Sequence, residues 1–288
     1  MKRYRDYNPI AVAANMLAAA LVAMFSMDPV ILAVALTGGI IASLTCASMR
    51  KRDHLFALGL FVALVVINPI FSHNGATVLF IMNDSPVTLE ATLYGVSAAM
   101  MLVSVLYWFR AFTAVMTSDR LLYLFSRLSP RVSLVLSMAL RTVPMLRERW
   151  QKIEQAQRAL GLYRDGNLID RVRGILRIFS ILVTWMLENG VITADSMDAR
   201  CYGTHRRTSY ALFEFGCSDA AVLGLSTGLA ALTLWGLSGT DFQYYPTVSY
   251  TGSAVTIIGY IAYSGLCLLP GIIELWEGIR WNGYRSTR

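Results

Sequence analysis

Six stretches of about twenty mostly apolar residues recur along the chain, at roughly 9–27, 29–48, 55–71, 89–109, 217–238 and 249–272. A helix needs about 20 such residues to cross a bilayer, and inside the hydrocarbon every backbone amide must find its partner within its own segment. Repeated six times, the pattern predicts an all-α polytopic membrane protein. Charge content points the same way. Only 15% of the 288 residues are charged and 56% are hydrophobic, whereas a soluble chain carries about 25% charged residues. Lys2, Arg3 and Arg5 precede the first run as they would in a signal peptide. That run is long for such a segment, however, and the Asp28-Pro29 turn leads straight into the second, so it reads as an uncleaved helix.

Basic residues set the expected topology. With six spans and the N-terminus inside, only the Asp28-Pro29 turn and the loops near 72–88 and 239–248 face outward. None of the 25 Lys and Arg residues falls in these three pieces; all lie at Met1–Arg5, Arg50-Lys51-Arg52, Arg110–Arg207 or the C-terminal tail. This is the positive-inside distribution. It predicts a multi-pass protein of the plasma membrane with both termini cytoplasmic.

The same distribution divides the chain into 1–110 (four spans), a cytoplasmic helical insert at 111–216, and 217–288 (two spans and a tail). The insert holds 15 Lys/Arg and 9 Asp/Glu, contributing +6 of the net +7 charge. A short helix is expected at 119–128, then a stretch from about 131 that Pro144 breaks or kinks, then a longer helix at about 145–160. On that helix Val143, Leu146, Trp150, Ile153 and Leu160 recur at helical spacing. After the polar link 161–167, a second long helix is expected from about 168 to 200. Its Leu168, Val172, Ile175, Phe179, Leu182 and Met186 alternate steps of four and three, the pattern of helices that cross and pack. The apolar run 178–187 is about half a span long and reads as buried or interfacial. Were it to cross, Arg280, Arg285 and Arg288 would be placed outside.

Both long helices are expected to end alike, in "QRALG" (157–161) and "ARCYG" (199–203), each with an arginine in its last turn and a glycine stop three residues later. An arginine there complements the helix dipole by about 0.3–1 kcal/mol, which by itself would explain either one. Two basic tips on one insert also suit docking into acidic pockets of a soluble partner, because guanidinium recognises carboxylates bidentately.

"LENGVITADSMDARCYGTHRRTSY" (187–210) closely resembles the second coupling-helix signature of the T component of energy-coupling factor (ECF) transporters, which reads like A-D-S-M-x-A-R-G-Y-G followed by R-T-S-Y. "LRTVPMLRERWQKIEQAQRALG" (140–161) resembles the first coupling helix, whose family form ends A-Q-x-A-R-G. The resemblance implies a prokaryotic membrane scaffold that holds an integral substrate-capture protein, the S component. It also implies two long crossed helices that insert their ends into a pair of ATP-binding-cassette ATPases for uptake of a vitamin or a metal ion such as cobalt. It assigns Ala199, Arg200 and Cys201 to the second motif, with Arg200 facing acidic ATPase residues and Cys201 standing where glycine is usual. The first motif departs further. In Arg158-Ala159-Leu160-Gly161, Leu160 stands where arginine is expected, so either Arg158 serves from two positions earlier or this tip docks by apolar contact. Residues two apart do not share a helix face.

No catalysis is expected of the chain itself. Its only lysines are Lys2, Lys51 and Lys152, and none sits in G-x-x-x-x-G-K-[ST], so ATP and magnesium belong to the partner ATPases and no cofactor to this chain. His54, His73 and His205 have no metal-ligand spacing, and Cys46, Cys201, Cys217 and Cys267 read as unpaired thiols. Gly224 with Gly228, and Ala14 with Ala18, are small-x-x-x-small pairs expected to serve packing within the bundle or to receive the S component. Asn68-Pro69 is expected to kink the third span, and Asn83-Asp84-Ser85 matches a glycosylation sequon. Nucleic acid fits poorly with an insert tethered to the bilayer. The rival function, a self-sufficient secondary transporter or channel with a regulatory insert, would call for ionisable residues at mid-membrane; the six runs hold such residues only near their ends.

Overall fold

A computed structural model describes residues 4–46, 51–72, 75–82, 85–161, 168–204, 213, 215–252 and 254–286. Arg50, His73, Asn83-Asp84, the link at 162–167, the run 205–210 that includes His205, and Arg288 lie outside the described residues. The chain forms two compact units, one of residues 1–121 with 213–288 and the other of 122–212.

The first unit contains α1 (Pro9–Phe25), α2 (Pro29–Cys46), α3 (Lys51–Phe71), α4 (Leu89–Val115), α8 (Cys217–Leu237) and α9 (Ala254–Ser286). The helix starts follow from local chemistry. Prolines at the first helical position of α1 and α2 have no N–H to leave unpaired. Asn8 Oδ1 accepts from the N–H of Ile10 at 3.1 Å, Asp28 Oδ1 from that of Val30 at 3.0 Å, and Thr88 Oγ1 from that of Ala91 at 3.3 Å. Each capping oxygen satisfies an amide that the first turn leaves without a partner.

Small residues bring these helices close. Ala11, Ala19 and Ala23 of α1 and Ala35 and Ala42 of α2 are fully buried, packing around Trp108 of α4 and Tyr263 of α9. Trp108 donates its indole N–H to the Ala35 carbonyl at 3.0 Å, and Tyr263 donates its hydroxyl to the Ala19 carbonyl at 2.9 Å. A Cβ on Gly236 of α8 would lie 2.5 Å from the Cα of Gly259 on α9, so the two backbones touch there. The packing expected of the Gly224/Gly228 pair is not seen within the unit: among the described residues nothing lies within 4 Å of a Cβ at either position. Its spacing is right for close approach, but the pair lies on the face of α8 turned away from its neighbours. Pro69 sits inside α3 and is buried, and the helix continues to Phe71.

The two connecting loops are more ordered than expected. Antiparallel hairpins form from β1 (Val78–Met82) with β2 (Ser85–Thr88), and from β3 (Asp241–Gln243) with β4 (Ser249–Thr251). The Tyr244 hydroxyl, within 2.8 Å of the Met27 carbonyl and 2.7 Å of Ser97 Oγ, ties the second hairpin to the α1–α2 corner and to α4.

A short helix, α5 (Ser118–Leu128), leads into the second unit, which is built on α6 (Pro130–Ala159) and α7 (Leu168–Ala199). Pro144 does not end a helix: α6 runs through it for 30 residues. One proline removes a single rung of a long ladder, and the turns on both sides stay helical. Of the a/d stripe of α7 only Leu182 is buried. Leu168 is 81% exposed, whereas Gly174, Ile178 and Leu182 are buried, at steps of four. Steps of four form the ridges that pack at a steep crossing angle, so the sequence pattern marked an apolar surface without fixing its contact line.

Among the described residues six helices are long and apolar enough to cross a membrane: α2, α3, α4, α7, α8 and α9. The set differs from the expected one. α7 qualifies because its apolar residues extend well beyond 178–187, and α1, at 17 residues, is shorter than the rest.

Candidate coupling tips

The ends of α6 and α7 each place a left-handed residue after the cap, with its N–H bonded to the carbonyl three residues back. At the end of α7 the Cys201 N–H donates to the Asp198 carbonyl at 2.9 Å, and the Tyr202 N–H reaches back to the Met197 carbonyl at 3.1 Å. These are the two bonds of a Schellman stop, which requires the residue after the cap to be left-handed. That residue is Cys201, with φ of 58°. At the end of α6 the Gly161 N–H donates to the Arg158 carbonyl at 3.0 Å, and Gly161 has φ of 68°.

The glycine stop expected at Gly203 is therefore a correction. Gly203 is also left-handed, with φ of 91°, but it lies two residues beyond the stop. The stop falls where the helical ladder runs out of partners, after Ala199 and the cap Arg200, and the sequence supplies a cysteine there. Besides glycine, residues take this conformation at a cost of about 1–2 kcal/mol. The Thr204 hydroxyl donates to the Cys201 carbonyl at 2.8 Å and braces the turn.

With Gly161 and Cys201 matched, the rest of both tips matches residue by residue. Ala159 corresponds to Ala199, Leu160 to Arg200, and Arg158 to Asp198. Leu160, not Arg158, thus occupies the arginine position of the first tip, as the α6 cap with a helical φ of −79°. It is 69% exposed, and Arg200 is exposed as well.

Arg158 is engaged elsewhere. Its guanidinium pairs with Glu154 at 2.8 Å, one turn back, while the other Glu154 oxygen accepts the Trp150 indole N–H at 3.2 Å. This Trp150–Glu154–Arg158 chain lies along α6 at i,i+4 steps. A second such pair, Lys152 with Glu148 at 2.6 Å, holds the Glu148 carboxyl below its usual range through hydrogen bond and charge. Both ladders were legible in the spacing. The contact of Arg149 with α7 was not: its guanidinium stands 5.0 Å from the centre of the Trp185 ring, a cation–π contact between residues far apart in sequence.

Much of the remaining surface of this unit is apolar. Leu176, Phe179, Leu187, Val191 and Ile192 of α7 are all more than half exposed. An exposed patch of that kind marks an interaction surface, with lipid or with protein. Among the described residues no group of three or more His, Cys, Asp or Glu side chains is placed to hold a metal ion.

Residues 7–210 match the family model described as cobalt transport protein, CbiQ. The chain is 27% identical over 230 residues to the energy-coupling factor transporter transmembrane protein EcfT of Bacillus selenitireducens, covering 74% of this chain and 85% of that protein. It is 36% identical over 90 residues to the protein of the same description from Streptococcus thermophilus, and 35% identical over 105 residues to that from Lactobacillus helveticus. These two matches cover 31% and 36% of this chain, and 34% and 38% of the relatives.

Proposed function

The chain belongs to the CbiQ family, the transmembrane T component of energy-coupling factor transporters, and from that premise we propose that it transmits ATP-driven motion from two ATP-binding-cassette ATPases to a membrane-embedded S component, for uptake of a micronutrient, a vitamin or a metal ion. The observation that carries this reading is the pair of matched helix tips. Two helices of about 30 residues in one unit each close on a left-handed residue and leave their cap side chains, Leu160 and Arg200, exposed. A rigid rod with an exposed, geometrically defined end suits the transfer of a push.

Arg200 is the contact to acidic ATPase residues, and Ala159 with Ala199 gives each tip a slim shoulder. Ala199, Arg200 and Cys201 form one plug; Ala159, Leu160 and Gly161 form the other, with Arg158 beside it. The chain itself does no chemistry, and ATP and magnesium sit on the partner subunits. The second unit faces the cytoplasm together with both termini. Charge supports this placement: if α7 crossed the membrane, the spans that follow would reverse and Arg280 and Arg285 would lie outside, against the positive-inside rule. The apolar surface of α7 is then available to the S component or to the bilayer interface.

Reconstitution tests the proposal. The chain purified with the subunits it holds in native membranes should catalyse uptake into proteoliposomes only when ATP is supplied, and the chain alone should transport nothing. Substrate uptake by the chain alone, driven by a proton gradient, would establish the secondary transporter instead.

A further inference from the structure

Within the first unit, the last turns of α1 and α8 leave a cavity of about 590 Å³ between them. Its walls are Leu21, Val22 and Phe25 from α1 and Ala230, Leu234 and Leu237 from α8. They follow each helix for about 10 Å. Leu21 and Leu234 are more than half exposed, so the cavity is a slot open to the surface and not a sealed void. Since α8 is of membrane length, a slot along it opens toward lipid.

The slot has one polar end. Asp28, just past the end of α1, and Asp241, just past the end of α8, line it there together with Phe242. Asp28 is buried, and its two oxygens accept the Val30 amide at 3.0 Å and the Tyr260 hydroxyl. Those bonds orient the carboxylate without neutralising it. No lysine or arginine occurs in 6–49, 53–109 or 208–279, so these stretches bring no permanent positive charge to this end. A carboxylate at the edge of an apolar slot gains from a cation supplied from outside. Phe242 is held in place beside it. Its ring centre lies 4.7 Å from that of Tyr244, whose hydroxyl is fixed between the Met27 carbonyl and Ser97.

We infer that this slot is a lipid site: an acyl chain lies between α1 and α8, and the ammonium of an ethanolamine headgroup sits at Asp28 and Asp241 against Phe242. The chemistry is complementary at both ends. An ammonium donates charge-assisted hydrogen bonds to carboxylates and is attracted to an aromatic face, while the chain covers Leu21, Phe25 and Leu234. A free cation would have no use for the apolar walls. An anionic headgroup would meet two carboxylates with no base to offset them. On the topology proposed above the headgroup belongs to the outer leaflet; the site itself does not depend on that orientation.

Lipid binding to the full-length chain, purified and delipidated in detergent, tests this. Phosphatidylethanolamine and phosphatidylglycerol with identical acyl chains are added in turn. Bound lipid is counted by native mass spectrometry, and thermal unfolding reports the stabilisation that binding confers. Phosphatidylethanolamine should bind about ten-fold more tightly than phosphatidylglycerol and raise the unfolding midpoint. Glycerophosphoethanolamine, which has the headgroup without the chains, should do neither. Asp28→Asn/Asp241→Asn keeps the shape and the capping oxygen and should abolish the preference between the two lipids. Asp241→Asn alone changes only an exposed side chain, so it folds even if the double variant does not, and should cut the preference by about three-fold. Leu234→Trp fills the slot from an exposed position and should weaken binding of both lipids. Equal binding of the two lipids by the wild-type chain, or a preference that survives Asp241→Asn undiminished, would overturn the inference. Glycerophosphoethanolamine binding as tightly as the whole lipid would overturn it too, in favour of a small-cation site. No ATPase enters these measurements, so their failure would leave the coupling role standing.

Discussion

Gly161 and Cys201 occupy the same left-handed position at the ends of α6 and α7, with φ of 68° and 58°. One residue is built for that conformation and the other is forced into it. The strain of a side chain there is about 1–2 kcal/mol, partly offset by the extra freedom a glycine loses on folding, about 0.5–1 kcal/mol. Cys201→Gly should therefore stabilise the α7 stop by up to about 1 kcal/mol, and Cys201→Val should weaken it. Hydrogen exchange at the Tyr202 amide, which closes the turn onto Met197 at 3.1 Å, reads the effect directly. Faster exchange in the glycine variant would contradict it.

Arg200 should be dispensable for insertion and indispensable for coupling. Its side chain is exposed, so Arg200→Glu leaves packing untouched. The variant should reach the membrane at wild-type levels yet lose ATP-driven uptake or ATPase association, since a carboxylate facing carboxylates repels. Wild-type uptake would remove the assignment.

At the first tip, the register predicts that Leu160 matters and Arg158 does not. Arg158→Ala removes an exposed i,i+4 pair with Glu154, a loss of about 0.3–0.5 kcal/mol, and should leave ATPase docking near wild type. Leu160→Asp should impair docking by about ten-fold or more. Binding of the partner subunits to each variant in detergent separates the two. Impairment confined to Arg158→Ala would shift the register by two residues.

The glycines of α8 should respond oppositely to the same substitution. Gly236→Ala sets a methyl 2.5 Å from the Cα of Gly259 and should cost about 1–3 kcal/mol as α8 and α9 separate. Gly224→Ala meets nothing within 4 Å and should be neutral or slightly stabilising, because alanine is the better helix former. Thermal unfolding of the two variants in detergent checks the contrast.

Asp219 is fully buried and accepts the amide of Asn8 at 3.0 Å through one oxygen and that of Gly216 at 2.9 Å through the other. It thus joins the start of α1 to the start of α8, elements more than two hundred residues apart. Asp219→Ala strips both amides of this acceptor and should lower stability by about 2 kcal/mol or more. Faster proteolysis of the N-terminal segment would accompany the loss; an unchanged melting temperature would contradict it.

How legible all this was varies with the range of the interaction. The helices of the first unit follow from runs of apolar residues and from Pro9, Pro29 and Thr88, all signals contained within one turn. The end of α7 was legible to within two residues, because Gly203 drew the expected stop past Cys201, where the left-handed turn falls. The first tip was ambiguous in sequence, since Arg158 and Leu160 both lie near the stop. Only the φ of Gly161 and the bond from its amide to the Arg158 carbonyl fix which of them is the cap. The Gly224/Gly228 spacing promised close packing that Gly236 and Gly259 supply instead, because spacing states which residues share a face but not which face has a neighbour.

By itself, the sequence determined that this chain is a bundle of membrane-length helices with a basic insert of two long helices, because hydrophobic length, charge placement and caps act within a segment. The tertiary structure decided which faces of those helices meet, where each long helix stops, and that Leu160 and Arg200 are counterparts. Those are relations between residues distant along the chain or set by backbone dihedrals, and only the packed, hydrogen-bonded whole selects among the local alternatives.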